Sequence, residues 1–335
     1  MAKDFYQGSS APGGRSFNDQ ENRCKQVFQE AAARYGGFWH LCTPGEDQPL
    51  IFRKREDYVF MMTAIAICAY AFPSVKVITF EIMGNHLHMM LCGYPDELFS
   101  FFAMLKKKLR RYLSIQGEGV CLDGFACKRL IPAETLESLR NQIAYINRNN
   151  YLVDPDHTPF SYPYGANGYY FLPSARRFAE GRFGDLTLLE RRSFVHARDI
   201  GYPDDWIIIG GAFSPVNYVH FDIGEGVFRN ARHYFHKITR EIESYKEIAA
   251  QLGDAVFYTD DELSAVIYRI CKREYDVESP MLLTANSKFD LARRLHYDYN
   301  ADNGKIARLV KLSRNVLDQM FLSKDSIQKS NRVSG

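Results

Sequence analysis

One stretch decides how the rest of the chain is interpreted: Glu81-Ile82-Met83-Gly84-Asn85-His86-Leu87-His88-Met89-Met90-Leu91-Cys92. Apolar residues dominate this stretch, and the residues before it, 75–80, are rich in β-branched side chains, so the pattern predicts strands. Because side chains alternate between the two faces of a strand, His86 and His88 point to one side and the apolar residues next to them point to the other. The Gly84-Asn85 pair is typical of a tight turn leading into the strand.

Two imidazoles on one strand face can share a divalent metal ion. An isolated His-x-His pair also occurs by chance, and most such pairs bind nothing. The setting of this pair favours a site, because it lies between an apolar strand and a basic amphipathic helix, with a tyrosine-bearing helix downstream. The sequence therefore predicts that His86 and His88 bind one divalent ion together.

A basic helix is predicted over about residues 97–115. Its apolar residues recur at helical spacing, and five basic residues crowd the remaining surface. One interpretation is a solvated basic face. Next to a candidate metal site, contact with nucleic-acid phosphates explains the cluster better. The residues predicted to make these contacts are Lys106, Lys107, Lys108, Arg110 and Arg111.

A second helix is predicted over about residues 133–149. Its apolar stripe includes Ile143 and Ile146, and Tyr145 lies about 100° away from Ile146 around the helix. Gln142, Tyr145 and Asn149 form a separate polar stripe. Tyr145 therefore need not be a core residue, and its hydroxyl can face the sheet surface to which the histidines point.

Taken together, these features resemble a known family. Residues 83–91 resemble the metal-binding motif of the single-tyrosine HUH transposases, and are most similar to the branch called REP-associated tyrosine transposases. The resemblance runs from about residue 38 to residue 165. Besides the His pair and the basic helix, it includes three segments: Trp39-His40-Leu41, Ile51-Phe52-Arg53-Lys54-Arg55-Glu56-Asp57-Tyr58 and Ala144-Tyr145-Ile146-Asn147-Arg148-Asn149.

The resemblance implies a ferredoxin-like or RRM-like antiparallel sheet with helices, acting on single-stranded or hairpin DNA. It makes Tyr145 the nucleophile, and Asn149 a third metal ligand beside His86 and His88, with Mg²⁺ or Mn²⁺ as the cofactor. The expected product is a 5′-phosphotyrosine with a free 3′-hydroxyl. The chain departs from the family pattern in having Gly84 where the family has proline, and Asn149-Asn150 where the family has Asn-Pro.

The whole chain is predicted to be an α+β protein with a separate helical C-terminal domain. Residues 1–22, rich in glycine and serine, are expected to form a flexible leader. Residues 23–165 form the nuclease-like domain, 166–255 form a middle region outside the resemblance, and 256–335 form the helical domain.

The end of the helical domain has the pattern of a helix-turn-helix. A helix over 305–310, a turn at 311–313 and a helix over 314–322 are expected, with Ser313 capping the second helix. Leu317 and Phe321 should then pack inward. The residues expected to face DNA are Arg314, Asn315 and Gln319.

Composition limits the class of protein. The chain has 335 residues, 46% of them hydrophobic, and a net charge of +2, so any nucleic-acid surface must be local. Seven cysteines without a C-x-x-C pair favour reduced thiols in a cytoplasmic protein. No apolar run reaches the length of a membrane span, so no membrane partner is expected. The sequence does not decide whether the protein is a monomer or a homodimer.

Three functions compete at this point. The first is a DNA strand-transferase with an added DNA-binding domain. The second is a non-catalytic DNA-binding regulator that keeps the transposase fold. The third is a metal hydrolase, which would need further Asp or His ligands. The role of the aromatic segment 151–170 is also undecided, because its rings could stack on unpaired bases or pack over the nuclease-like domain.

Overall fold

A four-stranded antiparallel sheet lies at the centre of the fold. The computed structural model describes residues 16–45, 50–117, 122–127, 130–153, 160–240, 260–297, 299 and 301–321. The strands lie in the order β2-β3-β1-β4, and each pair is antiparallel. Their bounds are β1 (Phe38–Cys42), β2 (Lys76–Ile82), β3 (Leu87–Cys92) and β4 (Ile131–Pro132). The predicted α+β class with an antiparallel sheet is confirmed.

The predicted turn between β2 and β3 is present. The Met83 amide donates a hydrogen bond of 2.9 Å to the His86 carbonyl across the Gly84-Asn85 pair. The Thr43 hydroxyl accepts a hydrogen bond from the Leu87 amide and so fixes the first residue of β3. His86 is therefore the last residue of the turn, not a strand residue as the sequence predicted. Every residue of β3 is buried.

Four long helices surround this sheet: α1 (Phe17–Tyr35), α2 (Arg55–Ala71), α3 (Pro95–Ile115) and α4 (Leu136–Val153). Ser16 and Asp19 form a reciprocal capping box at the start of α1. Residues 17–22, predicted to belong to a flexible leader, are helical for this reason, and residues 1–15 lie outside the described residues. No described helix is long and apolar enough to cross a membrane.

The helices form two layers. Phe80, which points away from the histidines, stacks on Tyr218, and the Tyr218 hydroxyl donates to the Met62 carbonyl in α2. α3 packs beside α2, where Tyr112 donates to the Asp57 carboxylate. On the opposite face of the sheet, Thr79 in β2 donates a hydrogen bond to Asn147 in α4. α2 and α3 therefore cover one face, and α4 covers the other.

The middle of the chain closes the free edge of β2. It contains α5 (Pro173–Arg177), α6 (Leu188–Val195), α7 (Phe221–Gly226) and α8 (Ala231–Arg240). It also contains a small sheet of β5 (Gly181–Arg182), β6 (Ile207–Ile209) and β7 (Ala212–Phe213). The His220 amide donates to the Val77 carbonyl, and the Ile82 amide donates to the Tyr164 carbonyl. These bonds satisfy backbone groups that an exposed edge strand would leave unpaired.

Contacts divide the chain into two compact units. One contains residues 1–149 and 159–241, and the other contains 150–158 and 242–335. The predicted boundary at residue 165 does not separate two units, because residues on both sides of it bind the edge of β2. The Tyr170 hydroxyl, for example, donates a hydrogen bond of 2.7 Å to the Ile78 carbonyl.

The second unit is helical in its described part, as predicted. Its helices are Asp260–Glu274, Ala285–Tyr297, Asn303–Val310 and Arg314–Met320. Leu317 and Phe321 are buried in the core of this unit, which confirms the inward face of the last helix. Lys311 is left-handed, with φ of 58°, and ends the third helix. Ser313 occupies the N-cap of the fourth helix without the expected side-chain hydrogen bond, and residues 322–335 lie outside the described residues.

Candidate functional site

Strand pairing gathers polar side chains on one face of an otherwise apolar sheet. His88 lies opposite Cys42 of β1 on one side and opposite Glu81 of β2 on the other. Directly opposed residues share a face, so these three side chains form a row across the sheet. His40 of β1 lies beside this row, because β1 alternates in step with β3. We call the surface that carries His40 and His88 the histidine face.

Three imidazoles meet on this face. His40 Nε2 lies 3.1 Å from His88 Nδ1, within hydrogen-bond distance, and both rings are fully buried. The ring of His86 is perpendicular to that of His88, with 4.9 Å between their centroids. The two rings therefore lie on the same side, as expected, although His86 belongs to the turn before β3 and not to the strand. His86 is only half-buried, and it is the member of the group that lies nearest to solvent.

Tyr145 reaches the histidine face from α4. Its ring lies edge-on to His88 and to His40, with centroids 5.6 Å and 5.9 Å away. The hydrogen bond from Thr79 to Asn147, two residues after Tyr145, holds this turn of α4 against β2. Tyr145 therefore faces the histidines as expected. The helical spacing left open whether Tyr145 belongs to the core, and the contact with the sheet leaves it only 1% exposed.

Asn149 lies one helical turn after Tyr145 and is 5% exposed. Residues four positions apart on a helix share a face, so Asn149 is on the same side of α4 as Tyr145. The helix continues to Val153, past the point where the resembling family has a proline. A proline would disfavour helical backbone at the residue before it, and Asn150 at that position lets the helix run on.

Burial sets the charge state of the two inner histidines. Burial lowers the pKa of His88 to about 3, and burial together with the neighbouring His88 lowers the pKa of His40 well below its usual range. Both rings are therefore neutral near pH 7. A neutral imidazole has one unprotonated nitrogen whose lone pair can bind a metal ion. The ring therefore does not have to lose a proton before it binds the metal.

The donor set fits a divalent metal ion. The His86 Nδ1–H donates to Asn85 Oδ1 over 2.7 Å, and the Asn85 amide in turn donates to the Gly45 carbonyl. This leaves Nε2 as the ligand atom of His86, an arrangement common around metal-binding histidines. The rings of His86 and His88 lie close enough, with 4.9 Å between their centroids, for the two residues to hold one ion together.

A metal ion would also select one tautomer of the buried pair. Ligation through His88 Nε2 requires that His88 Nδ1–H donates to His40 Nε2, so that His40 carries its own hydrogen on Nδ1. His40 Nδ1 is buried and has no hydrogen-bond partner in the described part of the chain.

Protein ligands beyond this pair are few. Among the described residues, no group of three His, Cys, Asp or Glu side chains is arranged to hold a metal ion. A third protein ligand would therefore be an amide oxygen, for which Asn149 on α4 has the right chemistry. Two imidazoles and an amide oxygen leave positions open for water or phosphate oxygens, which suits Mg²⁺ or Mn²⁺.

The basic residues of α3 are not part of this group. Lys107, Arg110 and Arg111 are exposed, and Lys106 and Lys108 are half-buried, while the apolar stripe of α3 is buried as predicted. α3 belongs to the helix layer on the opposite face of the sheet. The predicted proximity of the basic cluster to the histidines is therefore wrong, because the two lie on different faces.

In the second unit, the outer face of the last helix is accessible. Arg314, Asn315 and Gln319, the residues expected to face DNA, are exposed there. Arg314 Nε lies 3.9 Å from the Asp318 carboxylate on the same face. Asn303 of the preceding helix donates to Asp318 over 2.7 Å, which ties the two helices together at this surface.

Two residues of the site were not assigned a role from the sequence. In the sequence, His40 is only one residue of an apolar opening strand, and Glu81 is only the first residue of the stretch that contains the histidines. The sequence does contain a feature that could have drawn attention to His40: it is a polar residue in the middle of a short apolar strand, where a buried side chain is expected. Glu81 becomes visible only through the strand register, which places its carboxylate opposite His88.

Comparisons of this chain with protein-family models, with curated proteins and with solved structures find no match.

The buried state of His88 makes stability depend on pH. Because the unfolded chain binds this proton with a pKa near 6.5 and the folded protein with a pKa of about 3, stability is full above pH 6.5 and falls as the pH drops towards 3. Between pH 7 and pH 5, His88 should account for a loss of about 2 kcal/mol in the free energy of unfolding.

Urea unfolding at pH 7 and pH 5 measures this loss. His88→Asn should lose about 2 kcal/mol less than the wild type between the two pH values. His236→Asn removes an exposed imidazole from α8 and should behave as the wild type does. An equal pH dependence in wild type and His88→Asn would show that His88 is not neutral through burial.

Proposed function

We propose that this protein is a metal-dependent, single-stranded DNA endonuclease and strand transferase of the single-tyrosine HUH kind. One observation carries the proposal: a tyrosine on α4 lies edge-on to His88, within a ring contact of 5.6 Å, on the face where His86 and His88 meet. The resemblance in sequence assigned the nucleophile and the metal ligands to these same positions. The order of elements from β1 to β4 is compatible with the ferredoxin-like arrangement of such nucleases.

His86 and His88 would hold the metal ion, with Asn149 as the third protein ligand. A bound Mg²⁺ or Mn²⁺ would polarise a non-bridging oxygen of the scissile phosphate. The Tyr145 oxygen then forms a bond to phosphorus, and the bond from phosphorus to the 3′-oxygen breaks. The phenol loses its proton and the 3′-oxygen gains one, so the products are a 5′-phosphotyrosine and a 3′-hydroxyl. Attack by another 3′-hydroxyl reverses the step and joins strands.

The other surfaces fit roles in binding. The exposed basic residues of α3 can contact backbone phosphates without reading sequence. The second unit, with Arg314, Asn315 and Gln319 on its outer helix, would select or anchor DNA in the manner of a helix-turn-helix domain. The substrate would be single-stranded or hairpin DNA in the cytoplasm.

A second function is favoured by one specific observation. Tyr145 and His88 are almost completely buried, so a phosphate can reach them only if α4 or the segment next to His86 moves. A DNA-binding regulator that keeps the fold without catalysis needs no such movement. The metal hydrolase is the weakest candidate, because it requires carboxylate or histidine ligands that the described residues do not bring to His86 and His88.

Replacement of the nucleophile tests the proposal directly. Tyr145→Phe removes one oxygen and keeps the ring that packs on His40 and His88, so the protein should fold. With labelled single-stranded DNA and Mn²⁺, the covalent adduct of the wild type should fall below detection, while DNA affinity should change by less than about threefold.

The control is Tyr94→Phe, which removes the hydroxyl of an exposed tyrosine in the same unit and should form the adduct normally. Peptide mapping of the wild-type adduct should identify Tyr145. An adduct on another tyrosine would overturn the assigned nucleophile. Absence of any adduct, with DNA binding intact, would favour the regulator.

Charge neutralisation tests the role of α3. Lys107→Gln, Arg110→Gln and Arg111→Gln together should weaken binding to all single strands, because they remove contacts with phosphate. If each residue contacts one phosphate, the slope of log affinity against log salt should become shallower by about 2.

A matched control makes the same change of charge on α1. Arg23→Gln, Lys25→Gln and Arg34→Gln replace three exposed basic residues and should leave the slope unchanged. Equal slopes for the α3 variant and the wild type would mean that the basic face of α3 is only solvated.

A further inference from the structure

A cavity of about 400 Å³ opens beside the start of α2. It lies between α2, the loop over 160–169, α5 and the turn from β6 to β7, so all of its walls belong to the first unit. Its volume is within the range of sites that bind small organic ligands. The histidine face is not part of it. We call it the aromatic cavity, because its walls include Phe160, Tyr162, Tyr164, Tyr169, Phe178 and Phe213.

The rings around this cavity differ in their exposure. Phe213 is fully buried and forms the floor, while Phe178 is 56% exposed and stands at the rim. Tyr164 is held in place by stacking on Tyr58, with 4.3 Å between the centroids. A cavity with a fixed aromatic wall and an accessible aromatic rim suits a flat, aromatic ligand that slides between rings.

Charge at the mouth narrows the class of ligand. Arg55 is the charged residue of the cavity wall, and it donates to the Gly210 carbonyl over 2.7 Å. A guanidinium has five donor hydrogens, so this bond leaves capacity for an anion. Arg53 and Lys54, also exposed, precede it. Glu180 accepts from the Gly210 amide at the same turn and offsets part of this charge.

The cavity is physically connected to the candidate active site. The Ile51 and Phe52 amides both donate to the Gly84 carbonyl in the turn that carries His86. The Tyr162 hydroxyl donates to the Ile82 carbonyl at the end of β2. The basic segment 53–55 therefore lies between the histidine turn and the cavity.

We propose that the aromatic cavity receives one unpaired base of the bound DNA strand, with the adjoining phosphate on Arg55. A base offers two flat faces for the rings, and its phosphate is opposite in charge to Arg55, the charged side chain in the described part of the cavity wall. The assignment of the strand rests on the proposed function, and the chemistry of the cavity can be measured without it.

Mononucleotides test the cavity alone. Saturation-transfer NMR with the four deoxynucleoside monophosphates should detect binding of at least one to the wild type. Ala175→Phe fills the cavity from α5 and should abolish this binding. Phe178→Ala removes one ring on which the base can stack and should weaken the binding about fivefold or more, because loss of one stacking contact costs at least about 1 kcal/mol.

The control Ala33→Phe adds the same ring at an exposed position of α1 and should leave nucleotide binding intact. No binding of any of the four nucleotides at 10 mM or so would overturn the proposal, as would equal binding to Ala175→Phe and wild type.

Oligonucleotides with one abasic position distinguish a strand from a free nucleotide. An abasic position is moved along a bound single strand, one nucleotide at a time. It should lower the affinity of the wild type at one position and have no effect at that position in Ala175→Phe, whose cavity is filled. Nucleotide binding without any such position would overturn the assignment to the DNA strand. Loss of the covalent adduct on its own would affect the proposed catalysis and leave these binding results standing.

Discussion

The antiparallel pairing of β3 with strands on both sides is the constraint on which the rest of the structure depends. It buries all six residues of Leu87–Cys92, so the fold accepts a histidine at its centre only in the neutral state. Both neighbours then contribute polar side chains to the same face: β1 brings His40 and β2 brings Glu81. The sheet is thus apolar on one face and carries a group of polar side chains on the other.

Burial of the histidines and Tyr145 favours the proposed chemistry in one way and hinders it in another. It keeps the imidazoles unprotonated, and in a dry site each electrostatic interaction with a phosphate would be stronger than in water. It also closes the site, because Tyr145 packs over the histidines with 1% of its surface exposed. Catalysis therefore requires an opening movement. The half-buried His86, at the end of a turn, is the point at which solvent approaches the group most closely.

Local pattern was sufficient to predict several features. Helical spacing predicted that Tyr145 can face the histidines, and Leu317 was expected inward and is buried. His86 and His88 were expected on one side and lie there, although His86 is in a turn and not in the strand from which the alternation was counted. The errors arose where long-range packing decides. Helical spacing cannot show that the sheet closes over Tyr145, nor that α3 lies behind the sheet. A capping box at Ser16 was sufficient to order residues assigned to a leader.

The middle region shows the same limit. No role could be assigned to its residues from the sequence. In the structure they close the β2 edge and form the aromatic cavity together with the start of α2. Nothing in the spacing of Tyr162 and Phe178 predicts that they face one cavity, because the chain between them turns twice. Register between strands, which revealed Glu81 and His40, is likewise a property of the pairing and not of either segment alone.

The central claim is that His86 and His88 share a divalent ion in front of Tyr145. Anomalous diffraction from crystals soaked in Mn²⁺ measures this directly. The expected result is one anomalous peak about 2 Å from Nε2 of both histidines, absent in crystals of His86→Ala. A wild-type crystal with its anomalous peaks elsewhere, or with none at these two rings, would contradict the account.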